Sequence, residues 1–259
     1  MSRRFRNAIV RPPGRSFANG LTTASLGLPD LSLALDQHAA YCRALESCGV
    51  AVTVLPASQE FADAPFVEDT AIVSDGRALT TIPGAPSRTG EVASVREALA
   101  AFFDGVDALE APATLDGGDV CEGDDRVFVG ISHRTNAAGV RQLARWLART
   151  GRRTATVDIR DLDSILHLKS GMAYIGDGRY AVAGVLRPRL ELHDRHIVRV
   201  EPEESYAANC VRVNDAVLVP DGFPGLARRL EALGYATIAL DVSEFRKLDG
   251  GLSCLSLRF

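Results

Sequence analysis

Short apolar runs separated by polar turns recur along the chain, and four pairs of them share one hairpin design. Residues 70–73, the turn Ser74-Asp-Gly-Arg77 and residues 78–82 read as strand, turn, strand, because Asp-Gly supplies the positive φ of a tight hairpin. Residues 119–121 with 127–131, 172–175 with 180–183, and 210–213 with 216–219 repeat the design around Glu122-Gly-Asp-Asp125, Gly176-Asp-Gly178 and Asn214-Asp215. After three of these hairpins the apolar spacing lengthens to three and four. Val92, Val95, Leu99 and Phe102 form one such stripe, Val140, Leu143 and Leu147 a second, and Leu226, Leu230 and Leu233 a third. Each predicts a helix with one face inward. Gly151 and Gly234 stand where helix C-caps belong, and residues 154–159 and 237–240 follow as strands.

The third hairpin departs from this scheme: Pro188 and a charged stretch precede Ile197-Val-Arg-Val200, which predicts a shortened helix. Near the N-terminus, Ala8-Ile-Val10 reads as a strand, Leu35, His38, Cys42 and Leu45 as a helix ending near Gly49, and residues 51–55 as a strand. Pairing of residues 254–257 with the strand at Ala8 completes a fifth hairpin and closes a ring through the two termini. The unit is then β-β-α-β, roughly 45–50 residues long, five times over. The competing expectation is a general α/β sandwich. Pro12-Pro-Gly14 and Pro83-Gly-Ala-Pro86 read as loops, and no linker divides the chain, so one domain is expected over residues 1–259.

Composition narrows the function classes. The 259 residues are 46% hydrophobic and 24% charged, with net charge −4, ordinary values for a globular enzyme. No basic field recommends a nucleic acid or an anionic membrane as partner. The basic Met1-Ser-Arg-Arg-Phe-Arg6 is followed by no apolar segment, so a secretory signal is not expected, nor is a spanning helix, and the expected location is cytoplasmic. The five cysteines, Cys42, Cys48, Cys121, Cys210 and Cys254, are scattered and lack a CxxC. This argues against a disulfide framework or a zinc site and for mostly inert thiols.

The candidate chemistry sits where the hairpins begin: Glu68-Asp69, Asp116-Gly-Gly-Asp119, His167, Asn209 and Ser253-Cys254. Taken singly, a lone Cys in an apolar run or a His among leucines is usually core. Together at equivalent positions of a ring they converge on one axis. A Cys–His pair suits covalent catalysis, since the thiolate attacks and imidazole moves protons. Val67-Glu-Asp69, read as a strand start, points its two acids to opposite faces unless the backbone is distorted there. Asp63 precedes them, and Asp116 suits a histidine partner or a cationic ligand. Arg88 and Arg134 follow strand ends, where a guanidinium can meet a carboxylate. A ligand with a cation among acids and a carboxylate at arginine has the shape of an arginine derivative.

These phrases resemble a known family. Phe66-Val-Glu-Asp69, Pro83-Gly-Ala-Pro-Ser-Arg88, Leu115-Asp-Gly-Gly-Asp119, Arg134-Thr-Asn136, His167-Leu-Lys-Ser170, Ala208-Asn-Cys210 and Asp249-Gly-Gly-Leu-Ser-Cys254 are similar to dimethylarginine dimethylaminohydrolases of the guanidine-modifying pentein superfamily. The resemblance runs from Gly20 to the terminus and implies a five-bladed α/β propeller. It implies Cys254 as nucleophile, His167 as general acid and base, and Asp116, a Glu in some bacterial relatives, as the acid beside the histidine. It implies Asp63, Glu68 and Asp69 as substrate contacts, Arg88 and Arg134 on the α-carboxylate, and Leu21 on a mobile loop. Leu248, through its carbonyl, and Asp249 line the pocket in this reading. The implied reaction converts methylated arginines to citrulline and an alkylamine without metal or organic cofactor. The alternatives are an arginine deiminase-like or amidinotransferase-type enzyme and a non-catalytic guanidine-binding protein. A small-molecule partner is expected, with a homodimer left open; Asn209 is expected to be structural.

Overall fold

A computed structural model describes residues 4–124, 126–193 and 196–259. Asp125 of the second turn, the first three residues and two positions of the charged stretch after Pro188 lie outside these. The described residues form five three-stranded sheets, each with one antiparallel and one parallel neighbour pair. β3 (Ala71–Ser74), β4 (Arg77–Thr80) and β5 (Val106–Ala108) make one blade. The next two are β6 (Val120–Glu122), β7 (Arg126–Ile131) and β8 (Arg153–Asp158), then β9 (Met172–Gly176), β10 (Arg179–Ala183) and β11 (Ile197–Val200). β12 (Val211–Val213), β13 (Ala216–Pro220) and β14 (Ala236–Leu240) form a fourth. The fifth joins both chain ends: β1 (Asn7–Val10) pairs in parallel with β2 (Ala51–Val54) and antiparallel with β15 (Leu257–Arg258), Ile9 opposite Leu257.

The helices fall where the three-and-four spacing puts them. They are α1 (Leu31–Ser47), α2 (Val92–Ala100), α3 (Ala137–Ala148) and α5 (Pro224–Ala232), with short α4 (Leu168–Gly171) and α6 (Ser243–Arg246) between or after them. Asp30 and Asn136 cap α1 and α3, accepting the N–H groups of Leu33 and Gly139 at 3.0 and 2.8 Å. Gly151 and Gly234, just past α3 and α5, take φ of 77° and 89°, a left-handed turn that favours glycine. The third helix is reduced to a single turn, Arg187–Arg189, as Pro188 and the surrounding charges require. In α1 the inward face carries Ala34, Gln37, His38, Tyr41, Ala44 and Leu45, while Leu35 is exposed. Small residues and a tyrosine that bonds Ser256 at 2.7 Å define that seam, so leucines alone misplace it.

Five core clusters hold the ring together, and each is shared by two neighbouring blades. One joins β1 and α1 to β12, β13 and β14, a second β1 and β15 to β3, β4 and α2, and the others span the remaining neighbours in turn. No blade buries its apolar face alone, so closure is what makes each core complete. The hairpin starts form the inner wall. Each is preceded by a short helical segment: Val67–Thr70, Gly117–Asp119, Leu168–Gly171, Pro202–Ala208 and Leu252–Leu255. The architecture is a five-bladed α/β propeller with these turns around its axis.

Candidate active site

The helical turns, not strand starts, carry the polar phrases, and this is where the expected local structure differs. Glu68 and Asp69 lie in the turn Val67–Thr70, and Cys254 in Leu252–Leu255 ahead of β15. A turn of three residues brings adjacent side chains inward together, which an extended strand could not do. Asp-Gly-Gly-Asp has a steric reason. A Cβ on Gly117 would lie 2.0 Å from the Glu68 carbonyl oxygen, and one on Gly118 would lie 2.7 Å from Nδ1 of His167.

His167 begins α4 and is held from both sides. Asp119 accepts the N–H of Leu168 at 2.9 Å with one carboxylate oxygen and the hydroxyl of Ser132 at 2.6 Å with the other. The Nε2 of His167 lies 3.0 Å from Oδ2 of fully buried Asp116. Oδ1 of Asp116 accepts the N–H of Gly84 at 2.8 Å, and its backbone N–H donates to Thr135 at 3.1 Å. Burial alone would lower the imidazole, but the charge of Asp69, the hydrogen bond to Asp116 and the charges of Asp119 and Asp116 raise it to about 9. His167 is therefore an imidazolium at neutral pH. Burial also favours neutral Asp69, yet His167, Arg88 and the Gly118 N–H hold its carboxyl at about 2. The Cys254 thiol is pushed up to about 12 by burial and by the charges of Glu68 and Asp69, against the Gly251 N–H and Lys169.

One small cavity of about 30 Å³ is bordered by Leu21, Asp63, Phe66, Asp69, Arg88, Arg134, Leu166, His167, Leu248, Asp249, Gly250 and Cys254. It has room for about one water molecule. The loop over it is tied down: the N–H of Leu21 donates to Asp63 at 3.0 Å, and the N–H and hydroxyl of Thr23 donate to Asp249 at 2.5 and 3.0 Å. A much larger cavity of about 730 Å³ is lined by residues of other elements, among them Cys121, Lys169, Cys210 and Arg258, and holds neither His167 nor Cys254.

The candidate residues thus gather on one cavity, with two set apart from its wall. Asp116 stands behind His167. Glu68 turns its carboxylate to Lys169 at 2.6 Å, Ser253 at 2.7 Å and Arg258 at 3.2 Å. The two arginines differ. Arg88 is buried and committed, to Asp69 at 2.5 Å, to Glu91 at 2.8 Å and to the carbonyls of Asp63 and Phe66. The Arg134 guanidinium makes no hydrogen bond or ion pair among the described residues. Glu91, Lys169 and Arg258 went unsingled in the sequence. Only Glu91, three residues past Arg88, had a local signal. Asp69, Asp116 and His167 offer three ligand atoms within 4.8 Å of one another, and these residues are already paired, Asp69 with Arg88 and the Gly118 N–H and Asp116 with His167. No helix among the described residues is long and apolar enough to cross a membrane.

Comparison with known proteins assigns the chain to a family. The arginine deiminase family model matches residues 95–183. A dimethylarginine dimethylaminohydrolase from Pseudomonas aeruginosa is 43% identical over 256 residues, covering 98% of this chain and all of that protein. One from Streptomyces coelicolor is 37% identical, covering 98% of this chain and 96% of that protein. The solved structure of the Pseudomonas aeruginosa enzyme, a cysteine-to-serine variant complexed with citrulline, superimposes with a TM-score of 0.95 at 42% identity, over 99% of this chain and 100% of that one. The chain belongs to the dimethylarginine dimethylaminohydrolase family.

Proposed function

We propose that this protein hydrolyses Nω-methylated arginines, asymmetric dimethylarginine and monomethylarginine, to citrulline and dimethylamine or methylamine. The observation that carries the reading is the meeting of Cys254, His167 and the carboxylates Asp63, Asp69 and Asp249 on one small cavity, with Arg134 at its wall making no hydrogen bond or ion pair among the described residues. The acids suit the guanidinium and α-amino groups, and Arg134 suits the α-carboxylate.

The chemistry follows from the charges. In the empty site the thiol is protonated, because burial and two nearby carboxylates oppose the thiolate. A guanidinium entering beside Cys254 supplies the missing positive charge and favours ionisation, the thiol proton passing to solvent. The thiolate attacks the guanidinium carbon, and the tetrahedral centre expels the alkylamine as the His167 imidazolium gives it a proton. The neutral imidazole then takes a proton from water attacking the thiouronium carbon. The C–S bond breaks as the hydroxyl of the tetrahedral centre gives its proton to the departing sulfur, releasing citrulline and returning the Cys254 thiol. Asp116 holds the imidazole in orientation and stabilises its charged form. An arginine-sized molecule exceeds a cavity of about 30 Å³, so its wall must widen, and the loop bearing Leu21, fastened to Asp63 and Asp249 by hydrogen bonds, is the segment over it that can move.

Incubation with asymmetric dimethylarginine, monomethylarginine, arginine and agmatine, read as citrulline and amine, tests the proposal. Release of citrulline from methylated arginines supports it, and turnover of arginine alone would replace it with the deiminase reading. A folded protein inert toward all four, whose Cys254 also resists a haloacetamidine, would be a non-catalytic binder.

A further inference from the structure

Asn209 lies at the end of the turn Pro202–Ala208 and is buried. Its side chain joins two segments far from it in sequence. The amide nitrogen donates to the carbonyl of Lys169 at 2.8 Å and to the hydroxyl of Ser253 at 3.0 Å, and the amide oxygen accepts the N–H of Ser253 at 2.9 Å. Ser253 donates to Glu68 at 2.7 Å, and Glu68 returns to Lys169 through its ammonium at 2.6 Å. Lys169, Asn209, Ser253 and Glu68 thereby form a closed circuit that begins and ends on one residue. Lys169 is two residues from His167, and Ser253 adjoins Cys254. Gly251 makes room for the clamp, since a Cβ there would lie 2.5 Å from the Asn209 oxygen.

We propose that Asn209 is a positioning residue for the reaction, fixing the turn that carries Cys254 against the turn that carries His167. This rests on the covalent role of Cys254 argued above. Both donor hydrogens and the acceptor of the amide are used, so no residue without both functions can hold both turns. Its geometry also keeps the Ser253 hydroxyl donating to Glu68, which tempers the carboxylate charge that opposes the Cys254 thiolate.

The test compares wild type, Asn209→Ala and Asn209→Asp in three readouts: turnover of asymmetric dimethylarginine, the pH dependence of Cys254 alkylation by 2-chloroacetamidine, and thermal unfolding. Asn209→Ala is expected to lower kcat by on the order of 10²-fold, as a displacement of about 1 Å does, with KM changed less than about threefold. Asn209→Asp keeps the acceptor for Ser253 but loses the donors and adds a carboxylate. Its alkylation profile should move to higher pH by about one unit, with kcat also reduced. Loss of thermal stability with wild-type kcat and alkylation profile in either variant assigns Asn209 to the fold alone and overturns the proposal, as does failure of both variants to fold. A wild-type protein that neither turns over substrate nor is alkylated refutes the covalent reading instead.

Discussion

His167 and Asp116, fifty-one residues apart, meet at 3.0 Å between Nε2 and Oδ2, with the second carboxylate oxygen anchored on the Gly84 N–H at 2.8 Å. Both carboxylate oxygens are thus spent on orientation and on holding the imidazole charged. Replacing Asp116 by Asn keeps the shape and removes that charge. The histidine should then titrate below the wild-type value of about 9, followed by NMR, and turnover should fall by about 10²-fold. An unchanged histidine titration would remove Asp116 from this role.

Cys254→Ser and His167→Ala should each reduce citrulline formation by roughly 10²–10⁴-fold or more. Far-UV circular dichroism should remain that of the wild type. Near-wild-type turnover in either variant would refute the assigned chemistry.

The two arginines on the cavity wall should behave oppositely. Arg88 is enclosed by Asp69, Glu91 and two carbonyls, so Arg88→Ala strips Glu91 of its ion pair and leaves Asp69 only His167 and the Gly118 N–H. That costs about 3–5 kcal/mol, at roughly 2–4 °C of Tm per kcal/mol for a chain of this size. Arg134 makes no hydrogen bond or ion pair among the described residues and acts only as a charge near Asp63, so Arg134→Ala should leave Tm nearly unchanged and raise KM by about tenfold or more through loss of a charged contact. Calorimetry and steady-state kinetics on the pair check this.

Stability should vary with pH in a way set by two site groups. His167 titrates at about 9 folded against 6.5 unfolded, so its contribution is complete below 6.5 and is lost as pH rises through about 9. Asp69 titrates at about 2 folded against 3.8 unfolded, so its contribution is complete above 3.8 and is lost as pH falls through about 2. These two groups together contribute most between those unfolded values, while His38, held by burial at about 4 against 6.5 unfolded, adds a decline as pH falls below 6.5. In His167→Gln the decline between pH 6.5 and 9 should flatten, whereas an identical decline would place its origin elsewhere.

The loop over the cavity is fastened by Thr23 to Asp249 and by Leu21 to Asp63. Asp249→Ala removes one fastening, and limited proteolysis should then cut within residues 21–28 faster than in wild type. Cleavage at the wild-type rate would mean that Asp249 does not restrain the loop.

The sequence by itself determined the repeated unit and the residues on its inner edge. Hairpins at Asp75-Gly76 and Asp177-Gly178 and the seams of α2, α3 and α5 depend on neighbours a few positions away, and such periodicity is written locally. The phrases holding Asp116, His167 and Cys254 could be picked out because they recur at equivalent places, and the family resemblance attached roles to them. Only the tertiary structure decided how these groups are partnered. Glu68 meets Lys169, Ser253 and Arg258, Arg88 is consumed by Asp69 and Glu91 while Arg134 is not, and the site narrows to about 30 Å³. Asn209, which reads as structural in sequence, is found bonding to segments forty and forty-four residues away. Partnerships at such separations, and the charge balance that raises His167 and Cys254, exist only once five blades close on one axis and exclude water from it.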